Sequence, residues 1–235
     1  MRGNIVLSER LAAAALFVPR GSSAADIGTD HGYIPIWLVQ NDVCRSVIAS
    51  DIGALPLEHA KRSAAEYGEA ENIDFRLCAG LDGIRSDEAD TIIIAGMGGE
   101  TIAAILAAAP WTGDGAHLLI LQPMTKIPFL RAWLAENGYR FENEKLVWEN
   151  NGYFPVMAVR GGEPCGLSEA EIYGGVKLDA DPLLLPSLDR EIEKLRRAAE
   201  GLAMSDSLKN AERLEKIRGT IAALEEKRGA LSCRR

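Results

Sequence analysis

Short β-rich runs and helical stretches alternate between residues 20 and 160, and this alternation most limits what the chain can fold into. The run at 91–95 reads Thr-Ile-Ile-Ile-Ala, which is typical of a strand buried on both faces of a parallel sheet. Alternation of such runs with helices predicts an open, doubly wound α/β sheet. The predicted strands are 24–27, 46–51, 73–77, 91–95 and 118–121, and the predicted helices are 34–40, 55–67, 100–108 and 128–137.

Two further β-rich runs follow the alternating region, at 139–148 and 153–159. The sequence Glu-Asn-Asn-Gly between them is a hairpin turn signal, so the two runs are predicted to pair antiparallel. A Rossmann-like parallel sheet that ends in an antiparallel hairpin is the layout of class I methyltransferases. We therefore predict an α/β fold of this class for the alternating region.

The sequence changes character after the Gly- and Pro-containing segment 161–166, which we interpret as a linker. Apolar residues then recur at steps of three and four, first from Leu188 to Leu202 and again from Leu214 to Leu224. This spacing predicts an antiparallel α-helical coiled coil, with residues 205–207 turning the chain and capping the second helix. The sequence therefore predicts two domains, residues 1–160 and 161–235.

The charge of the chain is unevenly distributed. The net charge is −8, but residues 1–187 hold 14 basic and 25 acidic side chains, whereas residues 188–235 hold 12 and 9. Any contact with nucleic acid must therefore use local patches or the basic tail. No apolar stretch is long enough to span a bilayer. The four scattered cysteines have neither metal nor redox spacing, which favours reduced thiols, no metal site and a cytoplasmic location.

The segment 26–32, Asp-Ile-Gly-Thr-Asp-His-Gly, directly follows the first predicted strand. A glycine-rich turn there lets a ligand approach the backbone at the carboxyl end of the sheet. The dinucleotide pattern G-x-G-x-x-G does not fit, whereas the methyl-donor pattern D-x-G-x-G-x-G fits at Asp26, Gly28 and Gly32. Asp30 replaces the middle glycine. An ordinary turn with a helix-capping aspartate is the alternative interpretation.

Candidate ligand-binding residues also end three further strands. Asp51 ends the second, where a carboxylate can hold both ribose hydroxyls, or could instead be an N-cap for the helix at 55–67. Residues 95–99, Ala-Gly-Met-Gly-Gly, end the fourth and let a flat ligand pass close to the backbone, although Met97 could be simple core packing. Gln122 ends the fifth beside Pro123, where it could touch a target base.

Taken together, these segments resemble the bacterial tRNA (adenine(22)-N(1))-methyltransferase family, called TrmK. The matching segments are 7–11, 26–35, 94–99, 121–123, 131–134 and 167–172. The resemblance extends over about residues 5–228, and the combination of Asp-Ile-Gly-Thr-Asp-His with Ala-Gly-Met-Gly-Gly is its most specific part.

The resemblance implies S-adenosylmethionine as the methyl donor, N1 of adenine 22 in the D-arm of tRNA as the target, and a coiled coil that helps to hold tRNA. The residues that it places at the donor site are Asp26, Gly28, His31, Asp51, Ile52, Gly80, Gly96 and Met97, and we expect the neighbouring Thr29, Ala79 and Ala95 to lie there as well. Asp30 is expected to face the target adenine as the catalytic residue. The residues expected to contact tRNA are Arg10, Tyr33, Pro35, Gln122, Pro123 and Lys126, with Arg131 as a further phosphate contact.

Two positions depart from the family's pattern. Ala79 stands where the family usually has an aspartate beside the donor's adenine, and Met124 stands where it tends to have an asparagine. These departures leave open a binding module without activity, and the acidic main body leaves open a methyltransferase of a small molecule or a protein. A helical hairpin can close on itself or on a second copy, so the expected oligomeric state is a monomer or a weak homodimer. The tail is equally consistent with scaffolding, dimer formation or RNA contact.

Overall fold

The computed structural model describes residues 3–204 and 208–233. The strands of this part of the chain are β1 (Ser22–Ile27), β2 (Cys44–Asp51), β3 (Asp74–Leu77), β4 (Thr91–Gly98), β5 (Leu118–Thr125), β6 (Tyr139–Glu149) and β7 (Gly152–Gly161). They form one mixed sheet in the order β3-β2-β1-β4-β5-β7-β6. Strands β1 to β5 pair parallel, and β7 pairs antiparallel with both β5 and β6.

One helix precedes the sheet, and four others lie between its strands. They are α1 (Glu9–Leu16), α2 (Tyr33–Gln40), α3 (Ala54–Tyr67), α4 (Gly99–Ala108) and α5 (Ile127–Glu136). The predicted strands and helices of the alternating region are all present, and each of the four predicted helices begins one residue earlier than expected. The chain therefore has the Rossmann-like α/β fold that the alternation predicted.

Strand β4 lies inside the core because both of its faces are covered. Ile92, Ile93 and Ile94 are each 0% exposed. Ile93 packs in a core cluster that includes Ala14 of α1 and Leu38 of α2. Successive side chains of a strand point to opposite faces, so the equal burial of Ile92 and Ile94 shows that the other face is covered as well. This burial explains why the run at 91–95 carries no alternation of polar residues.

Helix α1 was not among the predicted helices. It begins after Ser8, whose hydroxyl accepts a hydrogen bond from the backbone N–H of Leu11 at 3.5 Å, as an N-cap does. Ala13, Ala14 and Ala15 are its buried residues. The small side chains let the helix pack closely, and its first turn carries Arg10.

Residues 166–235 form a second compact unit, which begins after Cys165. Its described helices are α6 (Glu169–Gly174), α7 (Leu184–Ala203) and α8 (Leu208–Ser232). Helices α7 and α8 contact each other, and their buried residues include Leu188, Ile192 and Leu224. The turn and cap predicted at 205–207 lie outside the described residues. Although α7 and α8 are long, no helix of the described chain is both long and apolar enough to cross a membrane.

Candidate active site

The turn after β1 is held against β2 by its backbone. The N–H groups of Gly28 and Thr29 both donate to the carbonyl oxygen of Ser50, at 2.8 and 2.9 Å. Gly28 has a φ of 75°, and a Cβ at this position would collide with the terminal methyl group of Met97 from β4. The glycine is therefore favoured by its left-handed backbone, and a side chain here would also require the flexible end of Met97 to move.

Asp30 and Asp51 connect the turns that follow β1 and β2. Asp30 has a left-handed φ of 44°, and its backbone N–H donates to Asp51 Oδ2 at 3.4 Å. Asp51 Oδ1 accepts from the N–H of Gly53 at 2.8 Å. The N-caps of α2 and α3 are Gly32 and Gly53, and neither helix has a side-chain cap. Both capping alternatives for these aspartates are therefore wrong.

A cavity of about 330 Å³ opens at the carboxyl ends of β1 and β4. Its wall combines the start of α1, the turn after β1, the first turn of α2 and the end of β4. Ten of its lining residues were predicted from the sequence, and Leu11 and Ile34 are the two that were not. The ten are Arg10, Asp26, Gly28, Thr29, Asp30, His31, Tyr33, Ala95, Gly96 and Met97.

Asp26 and Asp30 differ sharply in exposure within this cavity. Asp26 is 5% exposed, whereas the side chain of Asp30 is 64% exposed. Burial, together with the nearby negative charge of Asp51, raises the pKa of Asp26 to about 7. A cationic group bound beside Asp26 would favour its ionised form. The hydroxyl of Thr29, at 7% exposure, is buried beside Asp26, and its interaction with the carboxylate lowers the Asp26 pKa against the larger effect of burial.

Four predicted donor-site residues lie outside the cavity, at the neighbouring ends of β2 and β3. They are Asp51, Ile52, Ala79 and Gly80. Asp51 is paired with Leu77 in the β2–β3 register. The side chains of Ile52 and Leu77 are 76% and 59% exposed, which gives this end of the sheet an open apolar surface.

Gln122 has no exposed surface and does not line the cavity. Its Oε1 accepts hydrogen bonds from Arg10 Nη1 at 2.6 Å and from the backbone N–H of Gly96 at 3.0 Å. Arg10 Nε in turn donates to Glu149 Oε2 at 3.0 Å, and this contact contributes to a lowered pKa of Glu149. The direct base contact predicted for Gln122 is wrong for this geometry, because the amide is already used to hold Arg10 and Gly96.

Comparisons with known proteins identify the family of this chain. A family model described as "Methyltransferase domain" matches residues 7–157. The tRNA (adenine(22)-N(1))-methyltransferase of Bacillus subtilis is 36% identical over 185 residues, which cover 79% of this chain and 76% of the relative. The chain belongs to the tRNA (adenine(22)-N(1))-methyltransferase family.

Solved structures of this family share the fold over nearly the full length. The crystal structure of the Bacillus subtilis m1A22 tRNA methyltransferase TrmK is 30% identical, with a TM-score of 0.86 over 96% of this chain and 100% of that one. A putative tRNA (m1A22) methyltransferase of Streptococcus pneumoniae, solved in complex with S-adenosyl-L-methionine, is also 30% identical. Its TM-score is 0.82 over 95% of this chain and 100% of that one.

Three other predicted substrate contacts are not available on the surface. Pro35 and Pro123 are buried and do not line the cavity, so the predicted direct contacts are wrong for this geometry. Arg131 is 2% exposed, and its Nε donates to Glu144 Oε1 at 2.9 Å, so the predicted phosphate contact is wrong as well. A buried arginine requires such a partner, and the pair joins α5 to β6.

Lys126, also expected as a tRNA contact in this family member, remains accessible. Its side chain is 61% exposed, and its Nζ lies 3.6 Å from Glu100 Oε1. An exposed ion pair of this kind contributes little to stability and can be exchanged for a phosphate contact. The proposed contact of Lys126 with tRNA stays a prediction.

Sequence reasoning did not single out His59, which lies on α3. Its ring is nearly parallel to that of His31, with centroids 5.6 Å apart, and the ring of His31 is also nearly parallel to that of Tyr33, at 5.2 Å. Sequence spacing alone carries no signal for this contact, because it depends on how α3 packs beside the turn after β1.

Proposed function

We propose that this chain transfers a methyl group from S-adenosylmethionine to N1 of adenine 22 in tRNA. Membership of the tRNA (adenine(22)-N(1))-methyltransferase family supports the reaction and the substrate. The assignment of roles to individual residues rests on the cavity. Its lining includes the exposed carboxylate of Asp30, the aromatic ring of Tyr33 and the glycine turn at Gly28.

The residues present fit S-adenosylmethionine. Asp26 offers a buried carboxylate and Thr29 a buried hydroxyl beside it, and both suit the polar amino-acid end of the donor. Asp51 stands at the end of β2, where a carboxylate can hold ribose hydroxyls. The exposed Ile52 and Leu77 offer apolar contact to the donor's adenine.

When bound, the donor supplies an electrophilic methyl group on a sulfonium. The adenine N1 lone pair lies in the plane of the base, so the chain's main task is to align the base and exclude water. Methylation leaves the base cationic. The Asp30 carboxylate, close to the N6 amine, would stabilise that charge or accept a proton from N6.

The target atom lies on the Watson–Crick edge, so the adenine must leave any base pair and rotate into the cavity. Tyr33 is 39% exposed at the cavity wall and offers its ring as a stacking surface for the rotated base. Arg10 is held by Gln122 and Glu149, so we assign it a positioning role in place of a phosphate contact. His31, beside Asp30, orients the turn.

The roles of the two domains, the coiled coil, the cellular location and the oligomeric state are also proposals. We propose that the methyltransferase domain and the C-terminal helical domain act as separate parts, and that α7 and α8 form a coiled coil that contacts tRNA. A cytoplasmic location and a monomer or weak homodimer complete the proposal. Its support is the heptad-like spacing, the basic tail and the tRNA substrate of the relatives.

The deciding experiment is methyl transfer to an unmodified tRNA transcript, mapped by a primer-extension stop. We expect a stop at adenine 22 and none with a tRNA in which guanine replaces that base. Asp30→Ala should lower the rate by about 100-fold or more, the range of general acid–base contributions, while a thermal shift with S-adenosylmethionine survives.

The matched control is Asp42→Ala. Asp42 is also an exposed aspartate with a left-handed φ, 52°, but it precedes β2 at the opposite end of the sheet. Asp42→Ala should retain wild-type turnover. Wild-type turnover in Asp30→Ala would remove Asp30 from the mechanism, and a wild-type chain that binds the donor but methylates no tRNA would contradict the proposed substrate.

A further inference from the structure

Asp30, His31 and His59 form a compact group of metal-ligating side chains at the cavity wall. One ligand atom from each lies within 4.8 Å of the other two. Asp30 and His31 belong to the turn after β1, and His59 comes from the second turn of α3. His59 has no role in the proposed methyl transfer. The proposed function therefore does not explain why His59 lies beside Asp30 and His31.

The three ligand atoms lie within 4.8 Å of one another, and the nearly parallel rings of His31 and His59 must turn before their in-plane lone pairs can point at one ion. His31 Nε2 lies 3.7 Å from Asp30 Oδ2. Metal–nitrogen and metal–oxygen bonds of about 2.1 Å place neighbouring ligand atoms of a tetrahedral site about 3.4 Å apart. The side chains of Asp30 and His31 are 64% and 46% exposed, so rotation can close the remaining gap without disturbing the core.

The chemistry of the group selects a class of ion. Two imidazole nitrogens and one carboxylate oxygen are a ligand set that suits Zn²⁺ and other divalent first-row metals, with a fourth position left for water. Hard ions such as Mg²⁺ prefer all-oxygen sites, so the histidines argue against them. Asp51, whose Oδ2 accepts from the Asp30 backbone N–H, adds a further negative charge near the group.

We propose that Asp30, His31 and His59 bind a divalent transition-metal ion, and that the bound ion inhibits methyl transfer. The inhibition rests on the proposed function, because a carboxylate that ligates a metal is no longer free to stabilise the cationic base. The ion also adds positive charge where the methylated adenine becomes positive. Metal and target adenine therefore compete for Asp30.

Zinc binding tests the site without relying on activity. The full chain, with its four free cysteines alkylated to remove thiol ligands, is titrated with ZnCl₂ by calorimetry. We expect one ion per chain and an affinity at least tenfold weaker in His59→Ala. Glu58→Ala, which removes an exposed acid next to His59, should bind zinc like the wild type. Equal stoichiometry and affinity in His59→Ala would overturn the site.

Methyl transfer then tests the inhibition. Zinc should slow the wild-type enzyme, a chelator should restore the rate, and His59→Ala should keep its metal-free rate at zinc concentrations that inhibit the wild type. Equal inhibition of both proteins would overturn the inhibitory role. A different outcome is that His59→Ala raises the KM for tRNA in the presence of a chelator and leaves the zinc affinity unchanged. In that case the stacked rings of His31 and His59 contribute to RNA binding, and the proposed metal site is wrong. Loss of all methylation in the wild type would contradict the proposed function, while the calorimetry would still decide the metal site.

Discussion

Asp26 and Asp30 are four residues apart, yet the fold gives them opposite environments. Asp26 is buried at the end of β1, and Asp30 projects from a left-handed turn into the open part of the cavity. A buried carboxylate is poorly solvated when ionised, so it gains from a cationic ligand, whereas an exposed one can meet a base that enters from solvent. The difference in burial therefore supports the separate roles proposed for Asp26 with the donor and Asp30 with the target base.

The raised pKa of Asp26 predicts that donor affinity depends on pH. Burial favours the neutral acid up to a pKa of about 7, whereas the donor's amino cation favours the carboxylate. Affinity for S-adenosylmethionine should therefore rise by up to about tenfold per pH unit below pH 7 and level off above it. Calorimetric titrations between pH 6 and pH 8.5 measure this dependence.

Asp26→Asn is the control for that titration, because an amide does not ionise. It should bind the donor more weakly and with a flat pH profile. The raised pKa also means that Asp26 stabilises the free protein most below pH 3.8 and that this contribution is lost as the pH rises through about 7. The variant should therefore gain in Tm relative to the wild type above pH 7. A wild-type affinity that does not change with pH would contradict the assignment of Asp26.

At the scale of elements, one amide links the parts of the cavity wall. Gln122 of β5 accepts hydrogen bonds from Arg10 of α1 and from Gly96 of β4, and Arg10 reaches Glu149 at the end of β6. The Gly96 backbone has a φ of 82° and depends on this bond for its position. Gly96, a proposed donor-site residue in β4, is therefore held by a side chain that is far away in the sequence.

Gln122→Leu should weaken donor binding because it removes both acceptor bonds and leaves the N–H of Gly96 unpaired. We expect a cost of about 1–3 kcal/mol in stability and a rise of at least threefold in the Kd for S-adenosylmethionine. Gln40→Leu is the matched control, since Gln40 Oε1 also accepts a backbone N–H, from Ile5 at 2.9 Å. It should lower Tm but leave the donor Kd unchanged. Equal donor affinity in Gln122→Leu and the wild type would contradict the positioning role.

The same elements show what the sequence could and could not predict. The strands were predicted because their apolar runs are local signals, but β4 and β5 extend to Gly98 and Thr125, beyond the predicted ends. These extensions depend on pairing between the strands, such as Met97 with Pro123, which local propensity does not contain. The Gln122 network and the His59 contact were missed for the same reason, since both join distant segments.

Two short helices were missed although the sequence carries signals for them. Ser8 followed by Glu9 and an alanine-rich run indicates an N-cap and a helix. Ser168 and Glu171 form a capping box at the start of α6, with the Ser168 hydroxyl accepting from the Glu171 N–H. Both signals are readable from the sequence by their spacing alone.

At the scale of the whole molecule, the uneven distribution of charge along the chain determines where tRNA can bind. An acidic catalytic part repels the phosphate backbone of tRNA, so binding requires a basic surface elsewhere. Residues 188–235 hold 12 basic and 9 acidic side chains, whereas residues 1–187 hold 14 and 25. The C-terminal helices therefore offer the more favourable surface for a polyanion.

We predict that reversing charge on α8 weakens tRNA binding in a salt-dependent way. Arg213 and Lys216 are exposed on this helix. Arg213→Glu with Lys216→Glu should raise the Kd for tRNA by at least tenfold at low salt and reduce the slope of log K against log salt by about 2, since each lost phosphate contact removes about 1. Filter binding at several salt concentrations measures both quantities.

The matched control for this reversal is Arg20→Glu with Arg45→Glu, which changes the net charge equally. Both arginines are exposed near the amino ends of β1 and β2, away from the cavity end of the sheet. A general effect of net charge would weaken tRNA binding in both double variants, whereas a local contact would weaken it only in the α8 variant. Donor affinity should stay unchanged in both, because none of the four residues belongs to the cavity lining. Equal tRNA affinity and salt slope in the α8 variant and the wild type would show that these residues of the tail do not contact RNA.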